Sequence, residues 1–213
     1  MKKFELTSEF VTNIFGTKLF RIKALVEFGD VEAGELGGYI EKEENLDHYG
    51  NAWVYGDAQV SGDARVSGDA RVYGDAWVSG DAQVSGDAWV SGDARVYGDA
   101  RVYGDARVYG DARVYGDAWV YGDAWVSGDA RVSGDADYAY AHGFGSINRT
   151  TTFFRLKDGG VGVRCGCFYG TLQEFRDKVR ETHVETKKAK EYLMLADLME
   201  LRFKEENEDG KNN

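Results

Sequence analysis

The sequence predicts a mainly β protein: a single-stranded parallel β-helix solenoid over residues 51–140, with an N-terminal β capping module at 1–50 and a small α+β module at 141–213. Two observations predict it. From Asn51 the pattern Asp-Ala-x-Val-(Ser/Tyr)-Gly recurs without insertion, placing fourteen valines at every sixth position from Val54 to Val132. A fixed short period is the mark of a solenoid, and a period of six points to a parallel β-helix in which each rung pairs with the next. Pro is absent while Gly numbers 28, so glycine has to supply every bend. The period, with Gly in each unit, excludes a heptad coiled coil and a collagen triple helix.

Within a unit, Ala and Val are two apart and point to one side of a short strand, so they face inward. The residue between them (Arg, Trp or Gln) and the residue after Val (Ser or Tyr) face outward, and Gly-Asp makes the corner. At this point the chain resembles the left-handed β-helix hexapeptide family, whose repeat has an aliphatic residue with a small residue two before it. That resemblance implies left-handed winding and three hexads per 18-residue coil, about five coils in all, each rising ~4.8 Å.

Stacking every 18 residues puts Trp53, Arg71, Trp89, Arg107 and Trp125 in one outward column, with Tyr55, Tyr73, Ser91, Tyr109 and Ser127 beside it. Guanidinium and indole alternate at strand spacing, where each exposed contact is worth roughly 0.5 to 1 kcal/mol. Two readings are open. The ladder stabilises an exposed sheet through neighbouring side-chain pairs, or it is a flat recognition face built from the residue types enriched in binding hot spots. The binding candidates are therefore Trp53, Arg71, Trp89, Arg107, Trp125, Tyr55, Tyr73 and Tyr109. The other walls carry Gln59, Trp77, Arg95, Arg113 and Arg131, and Arg65, Gln83, Arg101, Trp119 and Asp137. Aspartates stack at the corners, where turn capping is the expected role; calcium binding and mimicry of a phosphate backbone are the alternatives.

At the N-terminal side, Lys18–Leu25 alternates like a strand, and Ile40, Leu46 and Ala52 lie six apart, as if an imperfect coil begins near Leu36. At the C-terminal side, residues 151–169 read as a hairpin turned by Asp158-Gly159-Gly160. Thr171 with Glu174 forms a capping box for a helix striped by Leu172, Phe175 and Val179. A second helix is predicted near 187–204, with Tyr192, Leu195, Met199 and Phe203 as its oligomerisation surface. The tail at 205–213 is expected to be disordered.

The net charge of -11 argues against sequence-independent DNA binding. No apolar run spans a bilayer and no secretory signal opens the chain, so the expected compartment is the cytoplasm. Cys165 and Cys167 are too close for an unstrained disulfide and read as reduced, packing thiols; with His183 they do not supply four zinc ligands. An acyltransferase reading would need a histidine base, and none occurs between 51 and 141. No catalytic residue, metal or cofactor is predicted.

The Leu36-Gly37-Gly38-Tyr39-Ile40-Glu41-Lys42-Glu43 and Cys165-Gly166-Cys167-Phe168-Tyr169-Gly170-Thr171-Leu172 segments, with the array between them, resemble proteins encoded by phages and prophages of Gram-positive bacteria. The resemblance implies an intracellular role during infection. The expected function is a non-catalytic, homo-oligomeric binder of a host protein or signalling molecule in the bacterial cytoplasm, possible counter-defence included. A self-assembling scaffold, an acyltransferase-like enzyme and an acidic nucleic-acid mimic are the alternatives.

Overall fold

A computed structural model describes residues 2–144, 149–184 and 186–204, so the tail at 205–213 lies outside the described residues. The chain divides into two compact units, 1–135 and 136–213. The N-terminal cap thus belongs to the same unit as the solenoid.

The first unit opens with strands β1 (Phe4–Thr12), β2 (Lys18–Ala24) and β3 (Leu36–Ile40). Fourteen two-residue strands follow, β4 (Trp53–Val54) to β17 (Arg131–Val132), one at each x-Val step of the repeat. They pair in parallel with the strand 18 residues on, forming three walls: β4-β7-β10-β13-β16, β5-β8-β11-β14-β17 and β6-β9-β12-β15. Every valine from Val54 to Val132, and every alanine from Ala52 to Ala130, is 0% exposed. The inward–outward alternation read from the sequence is therefore the core of the unit.

The corners follow from glycine. Gly68 has φ +68, and a Cβ there would sit 3.0 Å from the backbone nitrogen of Gly86 in the next coil. Any other residue would be strained twice, by conformation and by contact. The aspartate that follows donates its own amide upward, as from Asp69 to the Gly86 carbonyl at 2.9 Å. Aspartate carboxylates cap backbone amides near the two ends of the array: Asp69 accepts from Asn51 N at 2.9 Å and Asp135 from Trp119 N at 3.1 Å.

The cap continues the second wall. β1 and β2 pair antiparallel, β2 and β3 antiparallel, and β3 joins β5 in parallel. Gly37 and Gly38 are required by packing: a Cβ on Gly37 would lie 2.6 Å from Ile22 Cγ1, and one on Gly38 2.6 Å from the Ala58 carbonyl oxygen.

The imperfect first coil differs in phase from the expectation. Ile40 pairs with Val60 and Leu46 with Val66, an offset of 20, whereas Val54 pairs with Val72 at 18. Ile40 and Leu46 thus take the valine position, while Ala52 takes the alanine position. The turn at Asp47–Gly50 absorbs two extra residues, and its His48 stacks on Phe4 at 4.4 Å.

Two side chains finish the sheet edge. Inside the array each Ala carbonyl accepts from the amide 17 residues earlier, as Ala70 does from Trp53. Ala52 and Ala64 have no such donor. Lys3 Nζ donates to the Gly50 and Ala52 carbonyls at 3.3 and 2.9 Å, and Asn45 Nδ2 donates to Gly62 and Ala64 at 3.0 and 2.8 Å. Both residues are buried, and they close an edge that would otherwise template further strands.

The second unit is a four-stranded antiparallel meander, β18 (Tyr138–Phe144), β19 (Arg149–Arg155), β20 (Val161–Cys165) and β21 (Phe168–Thr171), followed by helices α1 (Leu172–His183) and α2 (Lys187–Phe203). The expected hairpin is β19–β20, and it has a neighbour on each side. The capping box is present: Thr171 Oγ1 accepts from Glu174 N at 3.3 Å, and Glu174 Oε2 accepts from Thr171 N at 2.7 Å. Leu172, Phe175 and Val179 pack on Phe153, Val163 and one face of α2.

That face corrects an expectation. Tyr192, Met199 and Phe203 are 5%, 7% and 3% exposed and belong to this core with Ala189 and Ala196; Leu195 is half-buried against it. They cannot form a free oligomerisation surface. The apolar residues that α2 leaves exposed are Met194, Leu198 and Leu201.

Candidate functional site

The candidate site is the outward face of the solenoid walls. On the first wall the pairs Trp53–Arg71, Arg71–Trp89, Trp89–Arg107 and Arg107–Trp125 are direct neighbours, so the expected column is assembled. Arg107 lies over both adjacent indoles, 4.9 Å from Trp89 and 4.8 Å from Trp125, and Arg71 lies 5.8 Å from Trp89. Flat guanidinium groups held between rings keep both rotamers ordered without consuming the outer ring surface. Trp89 remains 39% exposed.

The lower end of this column is different. Trp53 points outward from its strand, as the alternation requires, but it is 0% exposed because the cap covers it. Phe28 and Phe4 meet its ring edge-on at 5.3 and 6.2 Å. Trp53 is therefore a core residue joining cap to solenoid, and the expected surface position is corrected. Asp30 of the cap accepts from Tyr55 Oη at 3.0 Å and pairs with Arg71 at 2.9 Å; Arg71 also donates to Tyr73 Oη at 3.3 Å. Burial, then the hydrogen bond to Asp30, push the Tyr55 hydroxyl above its ordinary value. Tyr55 and Tyr73 stack at 4.4 Å, so these residues are tied to the cap. Arg107, Trp125 and Tyr109, half-buried, continue the wall beyond Trp89.

Each of the other walls also carries stacked aromatics, three in its array strands against six on the first, which the columns of residues before Val understated. Tyr103 stacks on Tyr121 at 5.4 Å, Arg101 lies 4.8 Å over Trp119, and Trp119 and Tyr121 are 41% and 39% exposed. On the remaining wall Tyr97 stacks on Tyr115 at 5.2 Å and Arg95 lies 5.2 Å over Trp77. The signal was present in the residues after Val, where Tyr97 and Tyr115, and Tyr103 and Tyr121, are 18 apart. Where that column carries Ser67 and Ser85 instead, the wall recedes into a groove of about 580 Å³ shared with Glu43, Glu44, Asp47 and His48.

The walls offer flat stacking surfaces and fixed donors, chemistry suited to holding a partner. Among the described residues no group of three His, Cys, Asp or Glu is arranged to hold a metal ion. His48 accepts the Lys3 amide through Nδ1 at 3.2 Å, and His142 Nδ1 lies 2.9 Å from Thr150 Oγ1. No helix among the described residues is long and apolar enough to cross a membrane.

The YdcK β-solenoid repeat model matches the chain at residues 58–74, 64–80, 82–98, 94–110 and 106–122, all within the regular array. No curated protein matches the chain. Repeat match and three-walled fold agree, and the chain is a β-solenoid repeat protein.

Proposed function

We propose that the chain is a non-catalytic binding protein, phage-encoded and acting in the cytoplasm of a bacterial host, that uses its solenoid walls to hold a host protein or signalling molecule. Counter-defence is a role consistent with that setting, and left-handed winding is the sense implied by the hexapeptide resemblance. The observation that carries the reading is the ordered ladder of Arg107 between Trp89 and Trp125, repeated by Arg101 on Trp119. A rigid surface of pre-stacked Trp, Tyr and Arg loses little side-chain entropy on binding, which is where flat interfaces usually lose affinity. The array supports this reading over acyl transfer because it contains no histidine and no inserted loop from which a substrate pocket could be built. Replacing Trp89, Trp119 and Trp125 with Ser tests it: partner capture from host cells should be lost while the β content by circular dichroism is kept.

A second reading, self-association, is favoured by the exposed stripe Met194, Leu198 and Leu201 on α2, spaced four and three as a helix–helix seam requires. Size measurement in solution, with and without Leu198→Glu, decides it.

A further inference from the structure

The second unit contains a cavity of about 280 Å³ whose lining includes Arg149, Cys165, Phe168, Phe175, Lys178 and Tyr192. The chain has 37 Asp and Glu against 26 Lys and Arg, yet this lining contains no carboxylate and two permanent cations. The solenoid's grooves, by contrast, set carboxylates beside their arginines: Glu43, Glu44 and Asp47 with Arg65, or Asp69, Asp87 and Asp105 with Arg71 and Arg107.

The lining is built rather than incidental. Cys165 ends β20, and Gly166 and Cys167 form the two-residue turn into β21, with φ +59 at Gly166 as a turn of this kind requires. The two cysteines therefore do not share one face of a strand. The Arg149 side chain crosses Gly166, where a Cβ would meet its guanidinium, which places that group beside the thiol turn. Thr151 Oγ1 donates to Cys165 Sγ at 3.2 Å, and Tyr192 Oη lies 3.9 Å from the same sulfur. Burial, and next the neighbouring Cys165, push the Tyr192 hydroxyl up to about 12, so it is neutral at physiological pH, and it donates to the Phe144 carbonyl at 3.4 Å. His183 stacks on the Tyr192 ring at 5.8 Å. Lys178, on the rim, is paired with Glu181 at 2.8 Å and is the weaker of the two cations.

We propose that this cavity binds a small organic anion, its apolar body on Phe168, Phe175 and Val179, its charged head at Arg149, and the Cys165 thiol alongside it. The volume lies near the lower limit of small-molecule sites, which suits a ligand of roughly ten to fifteen heavy atoms. Arginine recognises a carboxylate through charge-assisted hydrogen bonds.

Cys165 reports on the occupant. In a Cys167→Ser protein, labelling is followed with dithiobis-nitrobenzoate, an aromatic dianionic disulfide, and with neutral dithiodipyridine. In each case the thiol loses its proton to solvent and its sulfur attacks the reagent disulfide. The reagent S–S bond breaks, a Cys165–S–S–aryl bond forms, and one arenethiolate leaves with the electron pair. The rate ratio, anionic over neutral, should exceed that of a capped cysteine amide by about tenfold or more, the scale of one hydrogen bond to a charged group. It should fall to the free value in Arg149→Gln and recover in Arg149→Lys. Octanoate should slow labelling of the Arg149 parent saturably, whereas octanol should not, a comparison that needs no variant at Arg149. A ratio equal to that of the free amide, a Cys165 that reacts with neither reagent, or no protection by octanoate would overturn the proposal.

Discussion

Asn45 is a single side chain that finishes a sheet edge, and replacing it with Leu measures what that closure is worth. Its Nδ2 serves the carbonyls of Gly62 and Ala64, and its Oδ1 accepts the Lys42 amide at 2.9 Å. The residue is 0% exposed, so leucine of similar volume keeps the packing but orphans three backbone groups. An unsatisfied buried group costs about 1 to 3 kcal/mol, and three that relax together should cost about 3 to 5 kcal/mol. For a unit of this size that is a fall in Tm of roughly 10 °C or more. All five tryptophans lie in the first unit, so Trp fluorescence follows its unfolding separately from the second unit. Asn45→Asp should be worse than Asn45→Leu, because a carboxylate would face two carbonyl oxygens. A Leu variant within about 0.5 kcal/mol of the parent would refute the account of how the array is capped.

Four further outcomes follow from the same structure. Val102→Asp should abolish cooperative unfolding of the solenoid, since Val102 is fully buried between Val84 and Val120 and a carboxylate there has no partner; near-UV circular dichroism reads it. Burial lowers the Lys3 ammonium from 10.5 to about 8. The unfolded chain therefore binds the extra proton between these values, so the Lys3 contribution makes stability rise as pH increases from about 8 towards 10.5. Denaturant titrations at pH values across that window should show the rise in the parent and lose it in Lys3→Met. Leu198→Glu should reduce any oligomer seen by light scattering, whereas Tyr192→Glu should unfold the second unit instead, because only the former residue is exposed. Arg149→Gln should change the charge selectivity of Cys165 labelling without altering the solenoid transition, since the two belong to different units.

What the sequence could reveal divides along physical lines. A strict period of six specifies the inward and outward positions of every unit, so the three walls, the 18-residue register and the Trp89–Arg107–Trp125 stack were all legible before any coordinates. Where the period stops, its authority stops as well. Ile40, Leu46 and Ala52 share the spacing of six, but pairing geometry assigns only the first two to the valine position, and two extra residues at Asp47–Gly50 are invisible to periodicity. Trp53 obeys the outward alternation yet is buried, since alternation says which way a side chain points and nothing about what folds over it. In α2 so many positions are apolar that the docking face is underdetermined. The run Ala189, Tyr192, Ala196, Met199 and Phe203 was the more continuous stripe, at spacings of three and four, and it is the one that packs. The cavity at Cys165 was illegible because Arg149, the Cys165–Cys167 turn and His183 are brought together by the meander and helices, at no spacing a motif would register.

The central claim is that the periodic walls bind a partner through their exposed aromatic and cationic side chains. The most direct measurement is affinity capture from host cells with the parent and with the Trp89→Ser, Trp119→Ser, Trp125→Ser variant, each shown by circular dichroism and thermal unfolding to be folded. The account predicts a partner held by the parent and weakened by two orders of magnitude or more in the variant, on the scale of about 2 kcal/mol or more for a hot-spot residue. Equal capture by the two proteins, or capture by neither, would contradict it.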